Sequence, residues 1–222
     1  MPASVISQVT PASVVGREMF GDVAEELMFP AEAQAVERAV PKRRREFGTV
    51  RFCARQALAE LGVPAAPLLS GGNREPLWPP GIVGSLTHCA GYRAAVVAHS
   101  RDVVGVGIDA EPHAPLPDGV LESIGFGAEL DQLAAFDGVV HADRLLFCAK
   151  EAVYKVWFPL ARCWLGFADA AVTLGPNGGF EVELLVPGPT VNGAELTTLS
   201  GRWLVERDII VTAISLSAPK PT

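Results

Sequence analysis

No apolar run in this chain reaches the roughly 20 residues a membrane-crossing helix needs, because charge or glycine interrupts each one. The opening MPASVISQVTPASVVGREMF has no basic stretch leading into an apolar core, so no signal peptide is expected. The four cysteines, Cys53, Cys89, Cys148 and Cys163, include no CxxC pair. That favours reduced structural thiols over a zinc site or a disulfide framework, and a cytoplasmic setting is expected. Positive charge is scarce, with 18 Lys and Arg against 25 Asp and Glu and a net charge of −7. A nucleic-acid partner, which would call for a basic surface, is therefore not expected. Also missing are GxGxxG, a Walker-type loop and a G-x-S-x-G elbow, which removes support for Rossmann, P-loop and serine-hydrolase readings.

What remains is an ordinary globular composition, 49% hydrophobic and 19% charged over 222 residues. That length suits one large domain or two small lobes. Residues 1–30 give no firm pattern. From Ala31 the chain is helix-like, and Pro41 divides it in two. The second piece, about Lys42–Leu61, carries Phe47, Val50, Cys53, Ala54, Ala57, Leu58 and Leu61 at helical spacing, with Gly62 and Pro64 as its stop. A Gly/Pro-rich loop runs from Val63 to about Gly81. GYRAAVVAHS and RDVVGVGID read as strands around a Ser100-Arg101-Asp102 turn. HADRLLFCAKEAVYKVWF, 141–158, reads as a strong helix that Pro159 ends. AAVTL and FEVELLV flank a PNGG turn, and RWLVE and IIVTAISL flank Arg207-Asp208, giving two hairpins. The order, helix then strands twice over, predicts an α+β protein of two similar lobes, 1–105 and 106–222. Each would be a small, mostly antiparallel sheet with a long helix.

Four groups of residues could carry chemistry. In VGVGIDAEPH, Asp109 and Glu111 are alternate residues of a strand and share a face. Two like charges there call for a cation between them, and magnesium suits oxygen ligands, although two solvated carboxylates at a strand end fit the spacing equally. In CAKEAVYK, Glu151 and Lys155 share a helix face. A surface ion pair is the plain reading, but the bulky apolar flanks argue for a more specific partner. Thr87 and His88, placed just before a strand, could bind phosphate or simply serve a loop. Finally, PKRRREFGTVRFCAR holds Lys42, Arg43, Arg44, Arg45, Arg51 and Arg55, and arginine suits bidentate phosphate contacts. Together the four groups describe a site for a multiply phosphorylated ligand.

GSLTHCAGYRAAVV (84–97), VGIDAEPH (106–113) and FCAKEAVYKVWFPL (147–160) make the chain resemble a 4'-phosphopantetheinyl transferase. The likeness is to the broad-specificity class that activates modular peptide and polyketide synthetases, closest to actinobacterial members. It covers about residues 40–216 and rests on GIDxE followed about 40 residues later by KEAxxK. The resemblance implies coenzyme A bound between two lobes. A serine of an apo carrier protein takes the phosphopantetheine arm and 3',5'-bisphosphoadenosine leaves. It implies Asp109, Glu111 and Glu151 as ligands of Mg2+, with Mn2+ as a substitute. Glu151 is also implied as general base, acting directly or through water, and Lys155 as the cation on the transferring phosphoryl group. It implies Thr87, His88, Arg43 and Arg51 on the coenzyme A phosphates. Many members have a lysine in the loop that reads SGGNREP here, where only Arg74 is available. Carriers of peptide synthetases, polyketide synthases, siderophore pathways or fatty-acid synthase are the implied partners. Two lobes in one chain would form the cleft without a second copy, so a monomer is expected. A metal-dependent hydrolase of coenzyme A and a non-catalytic carrier-binding module are the competing readings.

Overall fold

The computed structural model describes residues 4–219. Its helices are α1 (Val5–Val9), α2 (Pro30–Ala35), α3 (Pro41–Glu60), α4 (Leu121–Ile124), α5 (Ala128–Asp131) and α6 (Ala142–Ala161). Its strands are β1 (Val15–Phe20), β2 (Ile82–Cys89), β3 (Tyr92–His99), β4 (Val103–Pro112) and β5 (Ala170–Leu174). Then come β6 (Gly179–Leu184), β7 (Thr190–Val191), β8 (Ala194–Glu195), β9 (Thr198–Glu206) and β10 (Ile209–Ser217). All the pairings among the described residues are antiparallel. One sheet has the order β1-β3-β2 and a larger one β4-β10-β9-β6-β5, with β7-β8 a separate ribbon. This is the α+β architecture expected, with α3 against the small sheet and α6 against the large one.

Pro41 opens α3 at its first position, where a missing N–H costs nothing. Of the expected buried stripe, Cys53, Ala54, Ala57 and Leu58 pack on the small sheet, while Phe47 and Val50 are buried on the side that lines the cleft. Both expected hairpins form, as β5–β6 and β9–β10. Two expectations need correcting, and one unread stretch gains a role. Pro159 lies inside α6 instead of ending it, and Arg162, at φ 55°, forms the left-handed cap. Ser85, Thr87 and His88 lie within β2, which the sequence reading left unassigned, so His88 sits near a strand end and not in a loop. Residues 1–30, unread from sequence, supply α1 and the edge strand β1. There Glu18 accepts hydrogen bonds from the Val5 and Ile6 amides, at 2.8 and 2.9 Å, and holds the short first helix in place.

Two features set the site. The glycines of VGVGID bring α6 down onto β4. A Cβ on Gly107 would sit 2.8 Å from the Val156 nitrogen and nearer still to the Ala152 carbonyl oxygen. One on Gly105 would meet the Val156 and Leu160 methyl groups. Gly105, Gly107, Asp109 and Glu111 share one strand face, so the close approach at the glycines carries the acids to the same helix. The two sheets also meet along β2 and β4 through side chains. Ser85 Oγ accepts from the Ile108 amide at 3.1 Å, and Thr87 Oγ1 accepts from the Ala110 amide at 2.9 Å.

Candidate active site

On α6, Arg144, Cys148, Glu151 and Lys155 follow a 4-3-4 spacing, which keeps them on one stripe. The stripe faces β4, and its cations meet the strand's acids. Lys155 Nζ donates to Asp109 Oδ1 at 2.7 Å, and Arg144 Nη1 donates to Glu111 Oε2 at 2.8 Å. The partner of Lys155 is thus the strand acid and not Glu151, its neighbour one turn away. Asp109 is only 5% exposed. Its Oδ1 also accepts from Thr87 Oγ1 at 3.0 Å, while its Oδ2 is buried with no hydrogen-bond partner.

The charges are unevenly compensated. Burial, then Asp109, pushes the Glu151 carboxyl above its ordinary value, with Lys155 opposing. Burial and Asp109 also raise Glu111, against the hydrogen bond and charge of Arg144. Burial lowers the Lys155 ammonium, but Asp109 and Glu151 outweigh it and the net shift is upward. Three acids therefore share two cations, and one buried carboxylate oxygen has no donor. An oxygen-preferring divalent cation fits that donor set. The side chains are not gathered into a ready three-ligand cluster among the described residues. Asp109 and Glu151 line the main cleft, and Glu111 stands outside its lining, held by Arg144.

That cleft has a volume of about 1380 Å³. Arg43, Arg51, Arg74, Thr87, His88 and Lys155 line it together with Asp109 and Glu151. At one end Arg43 Nη1 donates to His88 Nε2 at 2.6 Å, which assigns the His88 proton to Nδ1, on the side of Glu46. Burial, then the charge of Arg43, lowers the His88 pKa, so the imidazole is neutral and already aligned with a cation. Thr87 uses its hydroxyl on Asp109 and the Ala110 amide. Arg51 is buried and directed into the fold. Its Nε donates to the Leu68 carbonyl at 2.8 Å and its Nη2 to Ser70 Oγ at 2.9 Å, and its guanidinium lies over the Phe47 ring. Burial lowers its pKa to about 9. Arg51 thus shapes the 68–76 loop, whereas Arg74 is exposed at that loop's tip with φ 68°.

Sequence reading missed Arg144, because it lies seven residues before Glu151 and outside the quoted motif. It also missed Arg162, which lines the same cleft and pairs with Glu75 at 3.6 Å. Of the adjacent aromatic wall of Tyr154, Phe158 and Trp164, only Phe158 was read, as part of a bulky flank. Beside it a smaller pocket of about 120 Å³ shares Glu151 and Tyr154 with the cleft and is otherwise mostly apolar.

Comparison with known proteins identifies the family. A family model for the 4'-phosphopantetheinyl transferase N-terminal domain matches residues 31–98, and one for the 4'-phosphopantetheinyl transferase superfamily matches 105–206. The chain is 51% identical to the 4'-phosphopantetheinyl transferase PptT of Mycobacterium tuberculosis, over 96% of this chain and 98% of that one. It is 48% identical to Svp of Streptomyces mobaraensis, over 98% and 92%. It is 47% identical to Npt of Nocardia iowensis, over 95% and 99%. Both carry the same 4'-phosphopantetheinyl transferase description. The chain belongs to the 4'-phosphopantetheinyl transferase family.

Proposed function

We propose that the protein moves the phosphopantetheine arm of coenzyme A onto a serine of an apo carrier protein and releases 3',5'-bisphosphoadenosine. The buried, unpartnered Asp109 Oδ2, on a residue that lines an arginine-bearing cleft together with Glu151 and Lys155, carries this reading. Asp109 and Glu151, with Glu111, would hold Mg2+, and Mn2+ would suit the same oxygen set. When bound, the cation neutralises phosphate charge and orients the diphosphate.

Arg43 and His88 bind phosphate in the cleft, and a phosphate beside His88 draws a proton onto its ring. Arg74, at the loop tip, screens the remaining negative charge. Glu151 accepts the proton of the serine hydroxyl, and its raised pKa brings it closer to the range where a general base works best. The serine oxygen forms a bond to the β-phosphorus, and the bond from that phosphorus to the bridging oxygen breaks. Lys155 neutralises charge that grows on the transferring group, as an ammonium beside it can. The hydrolase reading has no observation in its favour.

The lobes are taken to divide near residue 105, and the protein to work as a monomer in the cytoplasm on peptide-synthetase or polyketide-synthase carriers. No described helix is long and apolar enough to cross a membrane. The test is to incubate the protein with coenzyme A, Mg2+ and an apo carrier and to weigh the carrier. The expected result is a gain of one phosphopantetheine on serine, lost in Asp109→Ala and Glu151→Ala proteins that remain folded. An unmodified carrier with free phosphopantetheine in solution would refute the proposal.

A further inference from the structure

Arg144 makes more contacts than a charge partner for Glu111 needs. Its Nη1 donates to Glu111 Oε2 at 2.8 Å, its Nε to the Ala114 carbonyl at 3.1 Å, and its Nη2 to the Pro115 carbonyl at 2.7 Å. The guanidinium fork thus reads both the acid and the backbone that follows it, which a lysine could not do. Its neighbour Asp143 accepts from the Leu116 amide at 2.7 Å, and the His141 amide donates to His113 Nε2 at 3.2 Å. The first turn of α6 is in this way tied to the whole segment that leaves β4.

We infer that Arg144 is a positioning residue for the cation site: it holds Glu111 by one oxygen and fixes α6 against the end of β4. The inference rests on the proposed three-acid site. Two consequences follow from the geometry. Glu111 keeps Oε1 free of Arg144, and that oxygen is left to take a cation. Its carboxylate is also kept from swinging into solvent, where repulsion from Asp109 would otherwise send it. Without the guanidinium, a half-buried Glu111 faces Asp109 with no partner, and the spacing between the acids of β4 and Glu151 is no longer set. Outer-shell partners of this kind change metal affinity by about 10- to 100-fold when removed.

The test is direct binding. Mn2+ is titrated into the protein with coenzyme A present, and the free ion is followed by its electron paramagnetic resonance signal. Arg144→Met is expected to weaken Mn2+ binding about 10- to 100-fold. Arg144→Lys should recover part of that loss. In a Glu111→Ala background, Arg144→Met should cost less than it does in wild type, because the part of its effect that runs through the held carboxylate is already gone. Near-ultraviolet circular dichroism reports the fold, and if Arg144→Met does not fold, Arg144→Lys against wild type carries the comparison. Unchanged Mn2+ binding in a folded Arg144 variant overturns the inference, as does a full additional loss in the Glu111→Ala background. Asp109→Asn separates the two readings. If it abolishes Mn2+ binding and the Arg144 variants do not weaken it, only the role of Arg144 fails. If Asp109→Asn binds Mn2+ as wild type does, the three-acid site itself fails.

Discussion

Gly107→Ala is the smallest change that should separate the two halves of the site. The added Cβ would lie 2.8 Å from the Val156 nitrogen and closer to the Ala152 carbonyl oxygen, and both are backbone atoms of α6. Real Cβ atoms keep at least 3.0 Å, and ordinary contact begins near 3.4 Å. A backbone helix cannot turn away as a side chain can, so α6 must retreat from β4 by about 1 Å, and overpacking of this kind costs about 1–3 kcal/mol. For a chain of this size each kcal/mol lowers Tm by about 2–4 °C. The same retreat stretches the 2.7 Å contact from Lys155 to Asp109 beyond hydrogen-bond range. Misplacing reacting groups by about 1 Å costs about 100-fold in rate. Gly105→Ala meets only the flexible ends of Val156 and Leu160, at 3.0 and 3.3 Å, and should lose much less. Transfer rate on an apo carrier and calorimetric Tm are the measurements. A Gly107→Ala protein with wild-type rate and Tm would show that the glycines do not seat the catalytic helix.

Glu151→Gln should reduce transfer by about 100- to 10,000-fold, as loss of a general base does. It should also raise Tm at neutral pH. Burial and then Asp109 put the folded pKa of Glu151 above its unfolded value, so its ionisation weakens the fold as pH rises through that window. The gain should vanish in acid, where both states are protonated, and a lower Tm at pH 7 would contradict the charge picture. Thr87→Val removes the hydroxyl that serves Asp109 and the Ala110 amide, and buried groups left so cost about 1–3 kcal/mol. Thr87→Ser should restore stability, and denaturant unfolding measures both. Burial and Arg43 keep His88 neutral in the free protein, so coenzyme A phosphates should draw a proton onto it. Affinity should then fall as pH rises, with proton uptake visible by calorimetry in two buffers and absent in His88→Gln. On its own, the depressed His88 pKa stabilises the fold above its unfolded value, and that contribution is lost as pH falls through the folded one.

The sequence made the strand acids legible because alternation is a property of any strand, and the KEAxxK face because 3.6 residues per turn is a property of any helix. The long helices and the two C-terminal hairpins were legible for the same reasons. The partners of these groups were not. Lys155 and Glu151 are neighbours by spacing, yet tertiary packing gives Lys155 to Asp109, and no local pattern encodes that choice. Arg51 stands in a run of arginines, and only the structure shows that, besides lining the cleft, its donors brace the 68–76 loop. β2 escaped notice because Gly84 and Ser85 interrupt its apolar pattern, although Thr87 suits a strand. The Ser85 and Thr87 hydroxyls serve the seam with β4 in place of ladder bonds. Pro159 misled because proline usually ends a helix, whereas α6 continues through it for two residues.

The cation shared by the acids of β4 and α6 is the centre of this account, and anomalous scattering locates it most directly. Crystals of the protein with coenzyme A and Mn2+ should give one anomalous peak at the inner wall of the cleft, in contact with Asp109, Glu151 and a coenzyme A phosphate, with Glu111 reaching it by a single oxygen. Coenzyme A bound at Arg43 and His88 with no peak at Asp109, or with a peak elsewhere, would contradict it.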